Sequence, residues 1–346
     1  MRTFHALITA AALGVSLLLA PYSASAQQAV RIGQATSALS FLPIFAARAT
    51  GAFEKEGLTP TVAVIPGGDP SALAALDSGD IDLAAIGSDA VLRAVAKGQP
   101  YQIVYSLMSK VTLQLVVSPA LMERTGVKPT DPIEKRLAAL KGALVGVSSI
   151  GGAQDTAARW LAAKGGLNPK TDITVAQVGN PPALRLALEN KQIDAFVLSP
   201  PEGYLAGKSG AGTVLVSLGD DFPLLAKQPF LILVAKKPMD AKTTDLVTKT
   251  VRVMQAASAA SIEKPDVVGA AIAAQFFAKV EPEAIVASVK AMNSGMADGG
   301  KIDVESIQNL LTFSKEVGTN FGREFDAKAS ENDLWTNSFV EKAKAK

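Results

Sequence analysis

The chain has 346 residues, with 34 Lys and Arg against 32 Asp and Glu, no cysteine and a single histidine. The missing cysteine excludes disulfides, thiolate metal sites and thiol nucleophiles, and charges this evenly balanced and interspersed give no electrostatic footprint for nucleic acid. The one histidine, His5, falls in a segment expected to leave the mature chain, so metal ligation and proton shuttling lose their commonest side chain.

That segment comes first in chain order. Arg2 supplies a positive start, residues 6–20 are apolar, and Ala24-Ser25-Ala26 before Gln27 is a small-x-small cleavage site, which together read as a secretory signal peptide over 1–26. The apolar run ends at Pro21 and is shorter than the roughly 18–20 residues that cross a bilayer. With no cysteine to carry a lipid, the exported protein is expected free in a Gram-negative periplasm.

Residues 30–32 then read as a short strand stopping at Gly33, 42–49 as a helix closed by Gly51, and 61–65 as a strand. Gly67-Gly68 is a turn into a helix over 70–76 and a strand over 81–86. The second half repeats the order: strand 144–147, helix 153–163, strand 173–178, turn Gly179-Asn180, helix 183–188 and strand 195–198. Such alternation builds mostly parallel sheets with helices on both faces.

The two halves also share wording. Gly67-Gly68-Asp69-Pro70-Ser71 leads to Ala75-Leu76-Asp77 and Ile81-Asp82, and Gly179-Asn180-Pro181-Pro182-Ala183 leads at the same spacing to Ala187-Leu188-Glu189 and Ile193-Asp194. This reads as an internal repeat of a whole unit, or else as the rhythm that any two α/β units share, and the fold expected is the same either way. The fold class expected is α/β, two doubly wound lobes facing each other as a clamp on a captured ligand. The apolar runs 111–117 and 230–235 belong to neither repeat; they read as hinge strands carrying the chain out and back, or else as two central strands of one sheet. The expected limits are 27–112 for the first lobe, 113–234 for the second, and 235–346 for a helical region returning to the first. Helices over 244–261, 267–277, 282–292 and 304–317 there carry apolar residues at three- and four-residue spacing, and 341–346 reads as a frayed helix end.

In doubly wound sheets ligands lie outside the carboxyl ends of the strands, where loops lead into helix N-termini. The first lobe offers Ser37, Ser40, Phe41, Gly67, Gly68, Asp69, Gly87 and Ser88 at such places; the second offers Ser149, Ile150, Gly151, Gly152, Asn180 and Pro200. Glycine lets a ligand approach the backbone, hydroxyls donate or accept, and free N–H groups attract anions. The loop 148–152 is the strongest single case. The same residues fit ordinary capping, with Asp69-Pro70 as a cap and a first-turn proline. Asp69, Asp89 and Asp155 either cap their own helices or face a ligand amine or ring nitrogen. A guanidinium clamp needs Arg48, Arg93 or Arg159 to reach in from a helix, against the solvated place that a helical arginine ordinarily takes. Phe41, Tyr105, Tyr204 and Phe230 fall near these loops, where a ring would stack on a planar ligand; Phe230 and Trp160 also fit the core, and Trp335 a packing anchor.

Leu42-Pro43, Gly51-Ala52-Phe53-Glu54-Lys55-Glu56-Gly57-Leu58, Ala74-Ala75-Leu76 with Ile81-Asp82, and Leu140-Lys141-Gly142 with Val145-Gly146-Val147 resemble the periplasmic solute-binding proteins of ABC importers. The sulfonate, nitrate, taurine and thiamine-precursor group is the nearest, over most of 30–235. The resemblance implies a type II periplasmic-binding-protein architecture that closes on one small molecule and hands it to an inner-membrane permease, as a monomer, without cofactor, metal or catalytic residue. It places the binding loops on 37–41, Gly67-Gly68, Gly87-Ser88, 149–152 and Asn180, with Pro200-Pro201-Glu202 lining the second lobe. Fungal pyrimidine synthases share the fold and use a histidine as reagent, which this mature chain lacks. The alternatives are an exported enzyme working through carboxylates such as Asp69 with Asp89, and a sensory receptor.

Overall fold

The computed structural model describes residues 27–319, 321–322 and 324–344; the expected signal peptide, 1–26, lies outside the described residues. Its first strands are β1 (Gln28–Gln34), β2 (Leu58–Val64), β3 (Leu83–Gly87) and β4 (Tyr101–Met108). They are followed by β5 (Gln114–Val117), β6 (Leu144–Val147), β7 (Thr174–Gln177), β8 (Ala195–Leu198), β9 (Thr213–Ser217) and β10 (Leu231–Lys236). These form two five-stranded sheets, ordered β2-β1-β3-β10-β4 and β7-β6-β8-β5-β9.

In the first sheet β1 runs parallel to β2 and β3, while β10 is antiparallel to both β3 and β4. The second sheet copies this: β6 is parallel to β7 and β8, and β5 is antiparallel to β8 and β9. The expected parallel character is thus broken once in each sheet, by the strand that the chain brings over from the other lobe. Runs 111–117 and 230–235 are these crossing strands, one in each sheet, and not two strands of one sheet. The segments leading into them lie side by side, with Gln228 N–H donating to Ser109 O at 2.9 Å, Phe230 N–H to Met108 O at 2.8 Å and Val111 N–H to Leu225 O at 3.0 Å. Two adjacent backbone crossings make a narrow joint between the lobes.

The repeated Ile-Asp pair has one job in both lobes. Asp82 accepts the Arg31 N–H at 2.7 Å through its carboxylate, and Asp194 accepts the Leu144 N–H at 2.9 Å in the same way, each tying a helix-to-strand corner to the neighbouring parallel strand, β1 or β6. Ile81 and Ile193 cover glycines of those strands: a Cβ on Gly33 would sit 2.5 Å from Ile81 Cδ1, and one on Gly146 2.7 Å from Ile193 Cδ1. The similarity of the halves is therefore a similarity of packing.

Strands β4 and β9 are additions to the predicted elements. All eight residues of β4 are buried, so it shows no alternation, and its polar Gln102 is satisfied by Asn332 O at 2.8 Å. Beyond Pro238, helix Ala241–Glu263 packs on helix Leu42–Ala49 of the first lobe. Helix Val304–Glu316 touches both lobes: Ser314 hydrogen-bonds Asp89 at 3.0 Å, and Glu316 accepts from Trp160 Nε1 at 2.8 Å. Among the described residues no helix is long and apolar enough to cross a membrane.

Candidate functional site

The strand ends of both sheets open onto one cleft of about 780 Å3, inside the roughly 300–1,000 Å3 range of small-molecule sites. Its first wall carries Ser37, Ser40 and Phe41 after β1, Gly67, Gly68 and Asp69 after β2, and Gly87 ending β3. Its second wall carries Ser149, Ile150, Gly151 and Gly152 after β6, and Pro200 after β8. Ser88 and Asn180 lie elsewhere. Ser88 is buried beside a smaller neighbouring cavity. Asn180 is exposed and caps helix Pro181–Glu189, accepting from Ala183 N–H at 3.1 Å, while Pro181 and Pro182 reach the cleft in its place.

That cap is an exception. The helices opening at the cleft, Leu42–Ala49, Asp69–Ser78, Ala153–Lys164 and Glu202–Ser209, have Phe41, Gly68, Gly152 and Pro201 before them and no side-chain cap bond. Helix-start N–H groups left this way favour an acceptor or anion supplied from the cleft. Asp69 is not the cap that its sequence suggests: Gly68 precedes the helix, and the Asp69 carboxylate instead accepts the Gly87 N–H at 3.3 Å.

The other two acids turn away from any ligand. Asp89 is engaged by Arg93 and Ser314. Asp155, nearly buried, holds the Gly151 N–H at 2.8 Å and Arg159 Nε at 2.7 Å, so it fixes the shape of the 148–152 loop and neither caps its helix nor meets a ligand amine. Arg93 and Arg159 are thereby paired, and only Arg48 of the three candidate arginines reaches the cleft. Glu202 also lines it, held by Arg185 Nε at 3.2 Å, with burial pushing its carboxyl upward.

Asp69 is part-exposed to the cleft, yet protein surrounds it on the remaining sides. Burial pushes its carboxyl from 3.8 up to about 6, against the opposing pull of the Gly87 N–H and the Arg93 charge. The folded state therefore binds the Asp69 proton more tightly than the unfolded chain. Its ionisation subtracts stability as pH rises through the window from 3.8 to about 6. A shift of this size corresponds to about 3 kcal/mol at most. Asp69→Asn keeps an acceptor for Gly87 and removes the charge, so thermal unfolding at about pH 7.5 should shift up by roughly 5 °C. The gain should vanish near pH 4; an equal gain at both pH values would show that charge is not the cause.

Sequence reasoning missed part of the wall. Phe45 lies on helix Leu42–Ala49 beside the expected Arg48, Val62 and Val64 lie on β2, and Phe276, Phe277 and Lys279 arrive from the C-terminal region. Helical spacing made the phenylalanines look like core, and nothing local indicates which lobe they meet. Phe41 and Phe230 line the cleft as expected, Phe230 being also nearly buried. Tyr105 is instead fully buried against Ser258, and Tyr204 is exposed away from the cleft. Trp160 packs on Phe222 and Phe313, and Trp335 is buried, as read. No cluster able to hold a metal occurs among the described residues.

Two copies of one α/β unit around a shared cleft, with the chain crossing between them twice, define the periplasmic-binding-protein fold. The profile of the NMT1-like family matches residues 23–276, and the chain belongs to that family. A solved protein from Bordetella bronchiseptica RB50 is similar at 23% identity, covering 92% of this chain and 97% of that one, with a TM-score of 0.70. The periplasmic nitrate-binding protein NrtA from Synechocystis PCC 6803 is similar at 16% identity, 92% and 88% coverage and a TM-score of 0.69. The periplasmic aliphatic sulphonate binding protein SsuA from Escherichia coli is similar at 19% identity, 89% and 92% coverage and a TM-score of 0.63. No curated protein gives a significant match.

Proposed function

We propose that this chain is the solute-binding component of an ABC importer: a monomeric, unlipidated periplasmic receptor that captures a small polar organic solute and delivers it to an inner-membrane permease. The observation that carries the reading is the cleft of about 780 Å3, walled by glycine-rich helix starts from both lobes. Family membership and the likeness to nitrate- and sulphonate-binding proteins support it. Within this reading the lobes are 27–112 with 235–346, and 113–234, save that β10 (Leu231–Lys236) pairs in the sheet of the first.

The action is capture, not turnover. The expected pair of Asp69 with Asp89 is not assembled on the cleft, because Asp89 is engaged by Arg93 and Ser314. Ligand touching both walls stabilises the closed arrangement by the difference in its affinity for closed and open states, and by nothing else. Micromolar binding, about 8 kcal/mol, suits the role.

The test is a thermal-shift screen of the mature chain with sulfonates, nitrate, carboxylates and pyrimidines, followed by scattering and mass spectrometry on any hit. At about 100 times Kd a ligand should add about 2.7 kcal/mol of stability, shrink the radius of gyration and be recovered unaltered. A chemically changed ligand, or no shift with any class, would overturn the proposal.

A further inference from the structure

Helix Leu42–Ala49 runs along the cleft, with Phe45 and Arg48 both on its wall. A rise of about 1.5 Å per residue puts the Arg48 backbone roughly 10 Å from the loop at the helix start. Between the two, Phe45 packs on Phe276 with ring centroids 5.3 Å apart and on Phe277 at 5.4 Å, an apolar stretch continued by Val62 and Val64. The Arg48 guanidinium carbon lies 4.4 Å from the Phe276 ring centroid.

Arg48 differs from every other arginine among the described residues. Each of those forms an ion pair with an aspartate or glutamate, and Arg48 has no carboxylate partner. It is half-buried, and burial pushes its guanidinium below the ordinary value. Lys279, on the same wall, also lacks a carboxylate partner among the described residues. A partly desolvated cation without a counter-charge is costly, and an anion brought in by a ligand removes that cost.

We infer that this stretch is a subsite for the carboxylate of an apolar organic acid, with its aryl or alkyl body on Phe45 and Phe277 and its two oxygens on the N–H edge of Arg48. The face of the guanidinium stays on Phe276 while the edge remains free, and a planar two-oxygen acceptor matches that edge bidentately. This rests on the capture reading and names the ligand class for the same cleft.

The experiment is calorimetric titration of the mature chain with phenylbutyrate, with its neutral primary amide, and with a phenylalkyl sulfonate of the same length. The carboxylate should bind at least about tenfold tighter than the amide, as expected for losing a hydrogen bond to a charged group. Arg48→Gln should weaken the carboxylate by roughly 10- to 100-fold and leave the amide unchanged, and Arg48→Lys should recover only part of the loss. Equal binding of acid and amide, a tighter sulfonate, or no effect of either Arg48 substitution overturns the subsite. Acid binding that ignores Arg48 but falls in Gly151→Trp refutes the subsite and keeps the capture reading; binding that ignores both defeats the capture reading too. Failure of the wild-type chain to bind any of the three probes also overturns the subsite, and the thermal-shift screen then decides the capture reading independently.

Discussion

Gly151→Trp should abolish capture while both lobes stay folded. Gly151 has φ +77°, and a Cβ added there meets nothing within 4 Å, so the new side chain projects into open space at the cleft wall. The left-handed backbone costs an L-residue about 1–2 kcal/mol, which the fold tolerates. An indole standing where the ligand must sit fills the cleft and props the walls apart. The first excludes ligand in either arrangement and the second disfavours the closed state, which a ligand then no longer selects. The expected loss is at least about 100-fold in affinity, about 2.7 kcal/mol, read by calorimetry with any ligand the screen returns. Gly142→Trp is the matched control: φ is +74°, its surroundings are equally empty, and it lies off the cleft. It should show the same small drop in Tm and unchanged binding. Parallel loss in both variants would mean that strain, not occupancy, causes the effect.

What made Gly151 nameable from sequence is that the cleft loops follow strands and precede helices, and both signals are local. Strands Leu144–Val147 and Ala195–Leu198 and helices Leu42–Ala49 and Pro282–Met292 occupy the predicted residues, because each is an apolar run or stripe punctuated by glycine or proline. The repeat was legible for the same reason, and the paired contacts of Asp82 and Asp194 give its cause. Less local facts were hidden. Asp89 reads as a helix-start acid, yet Ser314, more than two hundred residues later, comes to hold its carboxylate. Arg48 reads as a solvated helical arginine until Phe276, more than two hundred residues later, comes to lie under it. The reversed strand in each sheet was hidden too, since apolar runs 111–117 and 230–235 carry no mark of direction.

The hidden strand β4 is also where the largest stability effect should fall. Gly300 has φ +80°, and a Cβ there would sit 1.8 Å from Cε2 and 2.2 Å from Cζ of Tyr105. Neither partner can retreat: Tyr105 is fully buried with its hydroxyl 3.1 Å from Ser258 Oγ, and Gly300 O accepts the Ser106 N–H of β4 at 3.0 Å. Gly300→Ala therefore combines left-handed strain with overpacking, about 4 kcal/mol together, and should lower Tm by roughly 6 °C. If the ring contact is the cause, Tyr105→Leu should relieve it. Alone, that substitution leaves a cavity and costs about 2–4 kcal/mol; in the Gly300→Ala background its cost should fall by at least about 1 kcal/mol, a coupling that a double-mutant cycle reads directly. Strictly additive losses would place the damage in the backbone at residue 300 alone, and a neutral Gly300→Ala would show that Tyr105 does not occupy this packing. The crossing strand β10 pairs with β4 through Leu233 and Tyr105, so damage here should spread to the joint between the lobes.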